Sequence, residues 1–296
     1  MHTLEDITGF GQCRERTSSP VSHRVDLEML TDQQLLHYQT FGFVILRRLF
    51  DSEEMATISE EFERGLNAAY AHASFDGSER QFVTMLGPET PFFQGILEDP
   101  RFCEAAEQFY GDDVLGMSSS ANRYVGDSSW HPDHSIDPAK DCFGVKFAWY
   151  LEPVGADSGA LRIIPGTYRN PFHDEVQKTL TELKQKIDEV PCYVCESEPG
   201  DVIAFDMRCW HASCGGAAGR RMCTAVYYNN PKTPIEEAAA RIRASSSVKA
   251  PAQYNRPNDP LYHPHWVANP GGSKKRQGWI DRIGELGFLD QPTAEN

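Results

Sequence analysis

Residues 130–133 read Trp-His-Pro-Asp, and this stretch places an imidazole and a carboxylate two positions apart in a region of short β runs. Side chains at i and i+2 of a β-strand project from the same face, so His131 and Asp133 are expected to lie side by side. A second stretch, Gly200-Asp201-Val202-Ile203-Ala204-Phe205, runs towards His211, which would add a ligand from a distant strand. The sequence therefore predicts a metal site made of two histidines and one aspartate.

This ligand set has a specific chemical meaning. Two imidazoles and one carboxylate on one face of an octahedron leave three positions open, as in the facial triad of non-haem Fe(II) oxygenases. We therefore predict that His131, Asp133 and His211 are both the metal ligands and the catalytic residues. His134 should face the other side of its strand and is a second choice as a ligand. The pair His263 and His265 lies in a loop without a carboxylate motif and is interpreted as structural or close to the substrate.

The distribution of helical and β patterns predicts the fold. Helical patterns start at a capping box near residue 31 and after Asp51, and recur at 98–110, whereas short β runs punctuated by Gly, Pro and Asp dominate from about residue 116. We predict a mainly β fold with α-helices, in which a double-stranded β-helix (a jelly roll, cupin-like) forms the core. One domain, 1–296, would comprise a polar leader (1–26), a helical layer (27–115), the jelly-roll core (116–232) and a C-terminal lid (233–296).

Bulk composition restricts the partners. The chain has 296 residues and a formal net charge of -15, so nucleic acid and anionic membrane surfaces are poor partners. The sequence shows no secretory signal and no long apolar run, which predicts a cytoplasmic protein without membrane contact, acting as a monomer or homodimer on a small molecule. Eight scattered cysteines fit reduced thiols, and the motif Cys192-Tyr-Val-Cys195 is interpreted as strand thiols more readily than as a zinc or redox site.

A pair of arginines follows the third predicted ligand. Arg220 and Arg221 stand at the start of the β run Met222–Tyr228. A buried arginine there can hold a carboxylate bidentately, as the distal carboxylate of a 2-oxo acid co-substrate requires. We predict that Arg221 is this anchor and that Arg220 is a solvated charge at the strand end, with Arg220 as the alternative. Ser213, two residues past His211, would donate its hydroxyl to the same carboxylate.

Several motifs together resemble the phytanoyl-CoA dioxygenase family of Fe(II)/2-oxoglutarate-dependent oxygenases, over roughly residues 31–230. Beyond the features described above, the shared marks are Gly42-Phe43-Val44-Ile45, residues 158–167 (Ser-Gly-Ala-Leu-Arg-Ile-Ile-Pro-Gly-Thr) and His211-Ala212-Ser213. One departure is Thr167-Tyr168, where the family usually has Ser-His. A second is that the arginine comes one residue earlier than in many members.

The resemblance implies a set of site residues. Iron would be held by His131, Asp133 and His211, and 2-oxoglutarate by Arg221 and Ser213. Trp149 matches a family position that lines the co-substrate pocket, and Asn122 and Tyr124 are expected to contact 2-oxoglutarate or substrate. With O2 as the second co-substrate, the expected reaction is oxidation of a C–H bond with release of succinate and CO2. Hydroxylation is favoured over halogenation because halogenases of this fold replace the carboxylate of Asp133 by a small residue.

The substrate is expected to be a small, polar or zwitterionic metabolite, since no basic cluster suited to the phosphates of a CoA thioester is apparent. The irregular segments 72–95 and 235–270 are the expected determinants of substrate choice. Candidate substrate-binding residues are Trp130, His134, Phe93 and Trp266. The alternatives are a natural-product tailoring oxygenase (desaturation, ring formation or rearrangement), a non-catalytic metal-binding sensor, and a cupin-type hydrolase or isomerase that would not need the arginine anchor.

Overall fold

The computed structural model describes residues 30–290, in which ten β-strands form two antiparallel sheets. The predicted leader, 1–26, lies outside these residues. The strands are β1 (Phe43–Leu46), β2 (Gln81–Thr84), β3 (Val114–Tyr124), β4 (Ser128–His131), β5 (Gly144–Tyr150), β6 (Leu161–Ile163), β7 (Tyr193–Cys195), β8 (Val202–Asp206), β9 (His211–Ser213) and β10 (Arg220–Asn229). The large sheet has the order β1-β8-β5-β10-β3-β2 and the small sheet the order β4-β9-β6-β7. This arrangement confirms the predicted double-stranded β-helix core.

The helices flank this core. They are α1 (Asp32–Phe41), α2 (Ser52–Ala69), α3 (Pro91–Ile96), α4 (Pro100–Tyr110), α5 (Phe172–Leu183), α6 (Pro234–Ser247), α7 (Pro264–Ala268) and α8 (Lys274–Glu285), with 3-10 helices at Ile187–Glu189 and Ala250–Tyr254. Complete capping boxes, built on Thr31 and Asp51, start α1 and α2 as the sequence predicts. Among residues 30–290, no helix combines the length and the apolar character that a membrane crossing needs.

Each face of the large sheet buries a different set of side chains. On β5, Phe147 and Trp149 belong to the main hydrophobic cluster, which includes residues of α2, α4 and α8. Ala148 and Tyr150 point the other way and pack with Ile163 of the small sheet. Because successive side chains of a strand alternate between faces, residue parity decides whether a side chain meets the helices or the space between the sheets.

The N-terminal segment contributes strands as well as helices. β1 pairs with β8 at one edge of the large sheet, and β2 pairs with β3 at the other edge. β1 matches a predicted strand, whereas β2 and the short helix α3 have no counterpart in the sequence prediction. Through β1 and β2, the described part of the predicted helical layer therefore completes the sheet that carries part of the candidate site.

Candidate metal centre and cavity

Pairing of two short strands brings the two predicted histidine ligands together. β4 pairs with β9 in antiparallel register, and His131 lies opposite His211. β4 ends at His131, so Asp133 lies in the following bend and not on the same strand as predicted. The amides of Asp133 and His134 both donate to the Met207 carbonyl, at 2.9 and 3.0 Å. These two hydrogen bonds fold the aspartate back towards the histidines.

The three side chains have the geometry of a metal site. One ligand atom from each of His131, Asp133 and His211 lies within 4.8 Å of the others. The Nε2 atoms of His131 and His211 are 4.0 and 3.6 Å from the Asp133 carboxylate. Each Nδ1 instead faces a backbone carbonyl, that of Ser129 at 2.6 Å and that of Cys209 at 2.9 Å. Such contacts place the proton on Nδ1 and leave both Nε2 lone pairs for a metal.

The protonation states also suit a cation. Burial lowers the pKa of His211 to about 4, so this imidazole is neutral at pH 7 and able to ligate. Burial alone would raise the pKa of Asp133, but the ammonium of Lys146 holds that pKa well below its usual range. The site therefore offers a neutral imidazole at His211, the carboxylate of Asp133 and the imidazole of His131, a donor set that fits Fe(II).

Lys146 is a site residue that the sequence analysis missed. Its Nζ lies 2.6 Å from Oδ2 of Asp133, and its side chain extends from β5 into the space between the sheets. The sequence does indicate a special role for this position, because Lys146 is the one charged residue in the otherwise uncharged run Gly144–Tyr150. Lys146 holds Oδ2, the oxygen that also lies 3.6 Å from Nε2 of His211, and so fixes the carboxylate with Oδ1 4.0 Å from Nε2 of His131.

A cavity of about 310 Å³ opens beside the three ligands, between the two sheets. His131, Asp133 and His211 all line it. Two of the predicted co-substrate residues, Tyr124 and Ser213, line it as well. The remaining polar wall includes Arg80, Ser128, Lys146 and Arg220.

Arg220, and not Arg221, reaches the cavity, which corrects the sequence prediction. Arg220 is buried, and its Nη2 lies 3.3 Å from Oγ of Ser213. Arg221 points to the other face, where its Nε contacts Glu152 at 3.1 Å and its Nη1 contacts Glu63 at 3.4 Å. The physical reason is strand alternation, since neighbouring residues on β10 face opposite sides.

The surroundings of Arg220 fit a bound carboxylate. Its Nε and Nη1 are buried and have no hydrogen-bond partner among residues 30–290. A buried cation without a counter-charge is costly, so an anionic ligand would stabilise it strongly. Two glycines make room for the guanidinium, since a Cβ atom would lie 2.1 Å from Nη1 at Gly159 and 1.4 Å from it at Gly216. Together with Ser213, Arg220 can hold the distal carboxylate of 2-oxoglutarate.

Trp149 and Asn122 do not reach the cavity wall. Trp149 is fully buried on the helix side of β5, with its ring 5.4 Å from that of Phe50 and 6.2 Å from that of Phe93. The predicted role of Trp149 in lining the co-substrate pocket is therefore wrong. As on β10, the neighbouring residues of the strand, Ala148 and Tyr150, face the cavity side instead. Asn122 lies behind the wall, where its Oδ1 accepts hydrogen bonds from the cavity-lining Arg80.

We expect Trp149→Phe to change stability without changing co-substrate binding. Loss of the larger ring from a packed core should lower the free energy of unfolding by about 1–3 kcal/mol. The dissociation constant of 2-oxoglutarate for the folded protein should stay within about threefold of wild type, because no cavity contact is lost. Urea unfolding and an anaerobic 2-oxoglutarate titration would measure the two quantities. Weaker co-substrate binding at unchanged stability would contradict this placement.

The four predicted substrate-binding residues also lie outside the cavity. Phe93 and Trp266 are fully buried in the main hydrophobic cluster. Trp130 packs in a small cluster with Ile164 and Trp210, beside the ligands but away from the cavity. The buried His134 faces the Cys142 carbonyl, with its Nδ1 at 2.6 Å from that oxygen. All four aromatic side chains serve packing, so the predictions of substrate contact are wrong.

Comparisons with known proteins agree with this chemistry. The family model described as Phytanoyl-CoA dioxygenase (PhyH) matches residues 38–222. An ectoine dioxygenase of Bordetella bronchiseptica is 26% identical over 156 residues, which cover 48% of this chain and 51% of that protein. A protein named dioxygenase af480, from Aspergillus fumigatus, is 29% identical over 160 residues, 51% of this chain and 49% of that protein. The chain thus spans about half the length of these curated relatives.

Solved structures show the same fold. EctD from S. alaskensis with bound Fe aligns with a TM-score of 0.55 and 20% identity, covering 71% of this chain and 82% of that chain. HygX from Streptomyces hygroscopicus with nickel and 2-oxoglutarate bound aligns with a TM-score of 0.54 and 19% identity, covering 68% of this chain and 87% of that chain. At these identities the likeness establishes the double-stranded β-helix architecture.

Proposed function

The chain belongs to the phytanoyl-CoA dioxygenase family of Fe(II)- and 2-oxoglutarate-dependent enzymes, and on this premise we propose that it oxidises a C–H bond of a small polar metabolite. In the proposed reaction, substrate, O2 and 2-oxoglutarate give hydroxylated product, succinate and CO2. One oxygen atom of O2 enters the product and the other enters succinate. The observation that supports this proposal is the presence, in one cavity, of a two-histidine, one-aspartate cluster and a buried arginine that has no counter-charge among residues 30–290.

Different residues of the cavity would bind the metal, bind 2-oxoglutarate and exclude water. His131, Asp133 and His211 would hold the iron from one side, with Lys146 fixing the orientation of the Asp133 carboxylate. Ser213 and Arg220 would hold the distal carboxylate of 2-oxoglutarate. Bound iron and 2-oxoglutarate supply the activation of O2. The apolar wall, which includes Leu161 and Phe205, keeps water away from the reacting groups.

An anaerobic titration tests the proposal directly. Addition of Fe(II) and 2-oxoglutarate to the metal-free protein should produce a metal-to-ligand charge-transfer band, and O2 should then allow succinate to form. Omitting either component is the control, and each omission should remove the band. A protein that develops no band and forms no succinate would contradict the proposal.

The reaction type has one alternative within the same chemistry. Relatives and neighbours of the chain include proteins named multifunctional dioxygenase and alpha ketoglutarate dependent epimerase. A tailoring reaction such as desaturation, ring formation or rearrangement would use the same metal site, and isotope analysis distinguishes it, because only hydroxylation leaves an atom of 18O2 in the product. A non-catalytic sensor would bind Fe(II) and 2-oxoglutarate but form no succinate with any substrate.

The setting of the enzyme is part of the proposal. We propose a single catalytic domain that acts in the cytoplasm as a monomer or homodimer, without nucleic-acid or membrane partners. The strongly acidic composition supports the exclusion of nucleic acid. The small cavity volume supports a low-molecular-weight substrate.

A further inference from the structure

Arg80 is a second arginine of the cavity wall that has no acidic partner within the described part of the chain. In the register of β3 and β10, Tyr124 lies opposite Arg220. On the other side, Arg123 of β3 lies opposite Gln81 of β2, which brings Arg80 level with Tyr124. The two guanidinium carbons lie 3.9 Å (Arg80) and 5.2 Å (Arg220) from the centre of the Tyr124 ring. Tyr124 therefore stands between two cationic positions of one cavity.

The surroundings of Arg80 fix its side chain without neutralising it. Nε of Arg80 donates to Oδ1 of Asn122 at 3.2 Å, and Nη2 donates to the same oxygen. Among residues 30–290, no carboxylate oxygen lies within 4.0 Å of Arg80, whereas the nearby Arg123 and Arg256 are each paired with an acid. A neutral amide holds the guanidinium in place and leaves its charge available to a ligand.

Aromatic side chains wall this position. The Arg80 guanidinium also lies over the ring of Tyr254, at 5.3 Å, and the rings of Phe82 and Tyr254 are 4.9 Å apart. The Tyr70 hydroxyl contacts the Phe82 and Tyr254 carbonyls at 3.1 and 3.0 Å and so joins the two walls. Phe82 and Tyr254 come from the segments 72–95 and 235–270, the predicted determinants of substrate choice. A ligand here would place an anionic group on Arg80 and an apolar group against the aromatic wall formed by Phe82 and Tyr254.

We propose that Arg80 is the specificity-determining residue of this site and recognises a carboxylate or similar anionic group of the oxidised substrate. This inference rests on the proposed function. Arg220 and Ser213 would already hold the co-substrate carboxylate, and the Tyr124 ring separates them from Arg80. The cavity wall carries three cationic side chains, Arg80, Lys146 and Arg220, against the single carboxylate of Asp133. Even after 2-oxoglutarate and a divalent metal have bound, the excess positive charge favours an anionic substrate.

Binding of a matched acid and amide tests this assignment. Ligand-observed NMR would measure benzoate and benzamide binding to the protein loaded with Zn(II) and 2-oxoglutarate. Wild type should bind benzoate at least about tenfold more tightly than benzamide. Arg80→Met should remove this preference and leave benzamide binding unchanged, and Arg80→Lys should restore part of it. Arg123→Met, which removes a neighbouring arginine that is already paired with Glu63, should behave as wild type.

Two outcomes would overturn the assignment. These are equal binding of benzoate and benzamide by wild type, and a preference for benzoate that survives in Arg80→Met. If, in the second case, Arg80→Met also fails to bind 2-oxoglutarate, Arg80 holds the co-substrate and not the substrate. The test is separable from that of the proposed function. If wild type binds neither Fe(II) nor 2-oxoglutarate, the proposed function fails, while the comparison of wild type with Arg80→Met on metal-free protein still decides whether Arg80 binds the acid.

Discussion

Replacing His131 with alanine is expected to abolish the charge-transfer band of the anaerobic Fe(II)–2-oxoglutarate complex and to eliminate succinate formation. Removal of a residue that only orients a metal ligand typically costs about 10- to 100-fold in affinity or activity, and loss of a ligand itself should cost more. The fold should survive, because the His131 side chain is 43% exposed and its one hydrogen bond to residues 30–290 is with the Ser129 carbonyl. Circular dichroism and urea unfolding would verify that the variant is folded before the titration.

His265→Ala is the matched control. His265 is an exposed histidine of α7, and together with His263 it forms the other pair that the sequence offered as a chelator. The band and the succinate yield of this variant should equal those of wild type. Retention of the band in His131→Ala, or its loss in His265→Ala, would place the metal elsewhere.

The clustering of the three proposed metal ligands could be predicted from the sequence because motif and fold agree. His131 and His211 lie on short strands that pair directly, and the jelly roll brings such distant strands together. Asp133 was expected to lie beside His131 because the two residues would be two positions apart on one strand, and this explanation was incomplete. The strand ends at His131, and two amide hydrogen bonds to the Met207 carbonyl turn the chain so that the carboxylate still meets the imidazoles.

Strand parity limited the prediction of the co-substrate residues. All but two residues of β10 are buried, so no alternation of polar and apolar residues reveals which face meets the cavity. For this reason Arg221 was predicted to reach the cavity, whereas its neighbour Arg220 does. On β5, Lys146 indicates which face of the strand meets the cavity, because a charged side chain is expected on the cavity side and not among the apolar residues under the helices. Trp149, three residues later, must then lie on the helix side.

The segments proposed to govern substrate choice could be predicted from the sequence, but the individual residues Arg80 and Tyr254 could not. Arg80 and Tyr254 are far apart in sequence and meet only because the 3-10 helix Ala250–Tyr254 lies next to β2. Neither segment carries a motif, and β2 itself has no sequence signal strong enough to separate it from a loop. Aromatic residues with apolar neighbours, such as Phe93 and Trp266, gave a stronger pattern but belong to the core. Core packing and substrate binding use the same residue types, and only tertiary contacts distinguish them.

The second large effect is expected for Arg220→Met, which should weaken 2-oxoglutarate binding by about a hundredfold. Loss of one partner from a buried, hydrogen-bonded charge pair costs about 2–5 kcal/mol, and a hundredfold corresponds to about 2.7 kcal/mol. Arg221→Met is the matched control, because Arg221 pairs with Glu152 and Glu63 on the other face. The control should bind 2-oxoglutarate within about threefold of wild type and lose at most about 1 kcal/mol of stability, since the Arg221 pairs are partly exposed.

A truncated co-substrate shows whether Arg220 acts on the distal carboxylate in particular. 2-Oxopentanoate carries a methyl group where 2-oxoglutarate has that carboxylate, and it keeps the two groups that chelate the metal. Wild type and Arg221→Met should therefore prefer 2-oxoglutarate by about a hundredfold, whereas Arg220→Met should bind both acids almost equally. The disappearance of the preference isolates the pairwise interaction from any general disturbance of the cavity. If Arg220→Met kept the preference and Arg221→Met lost it, the original choice from the sequence would be restored, and β10 would have to present its other face to the cavity.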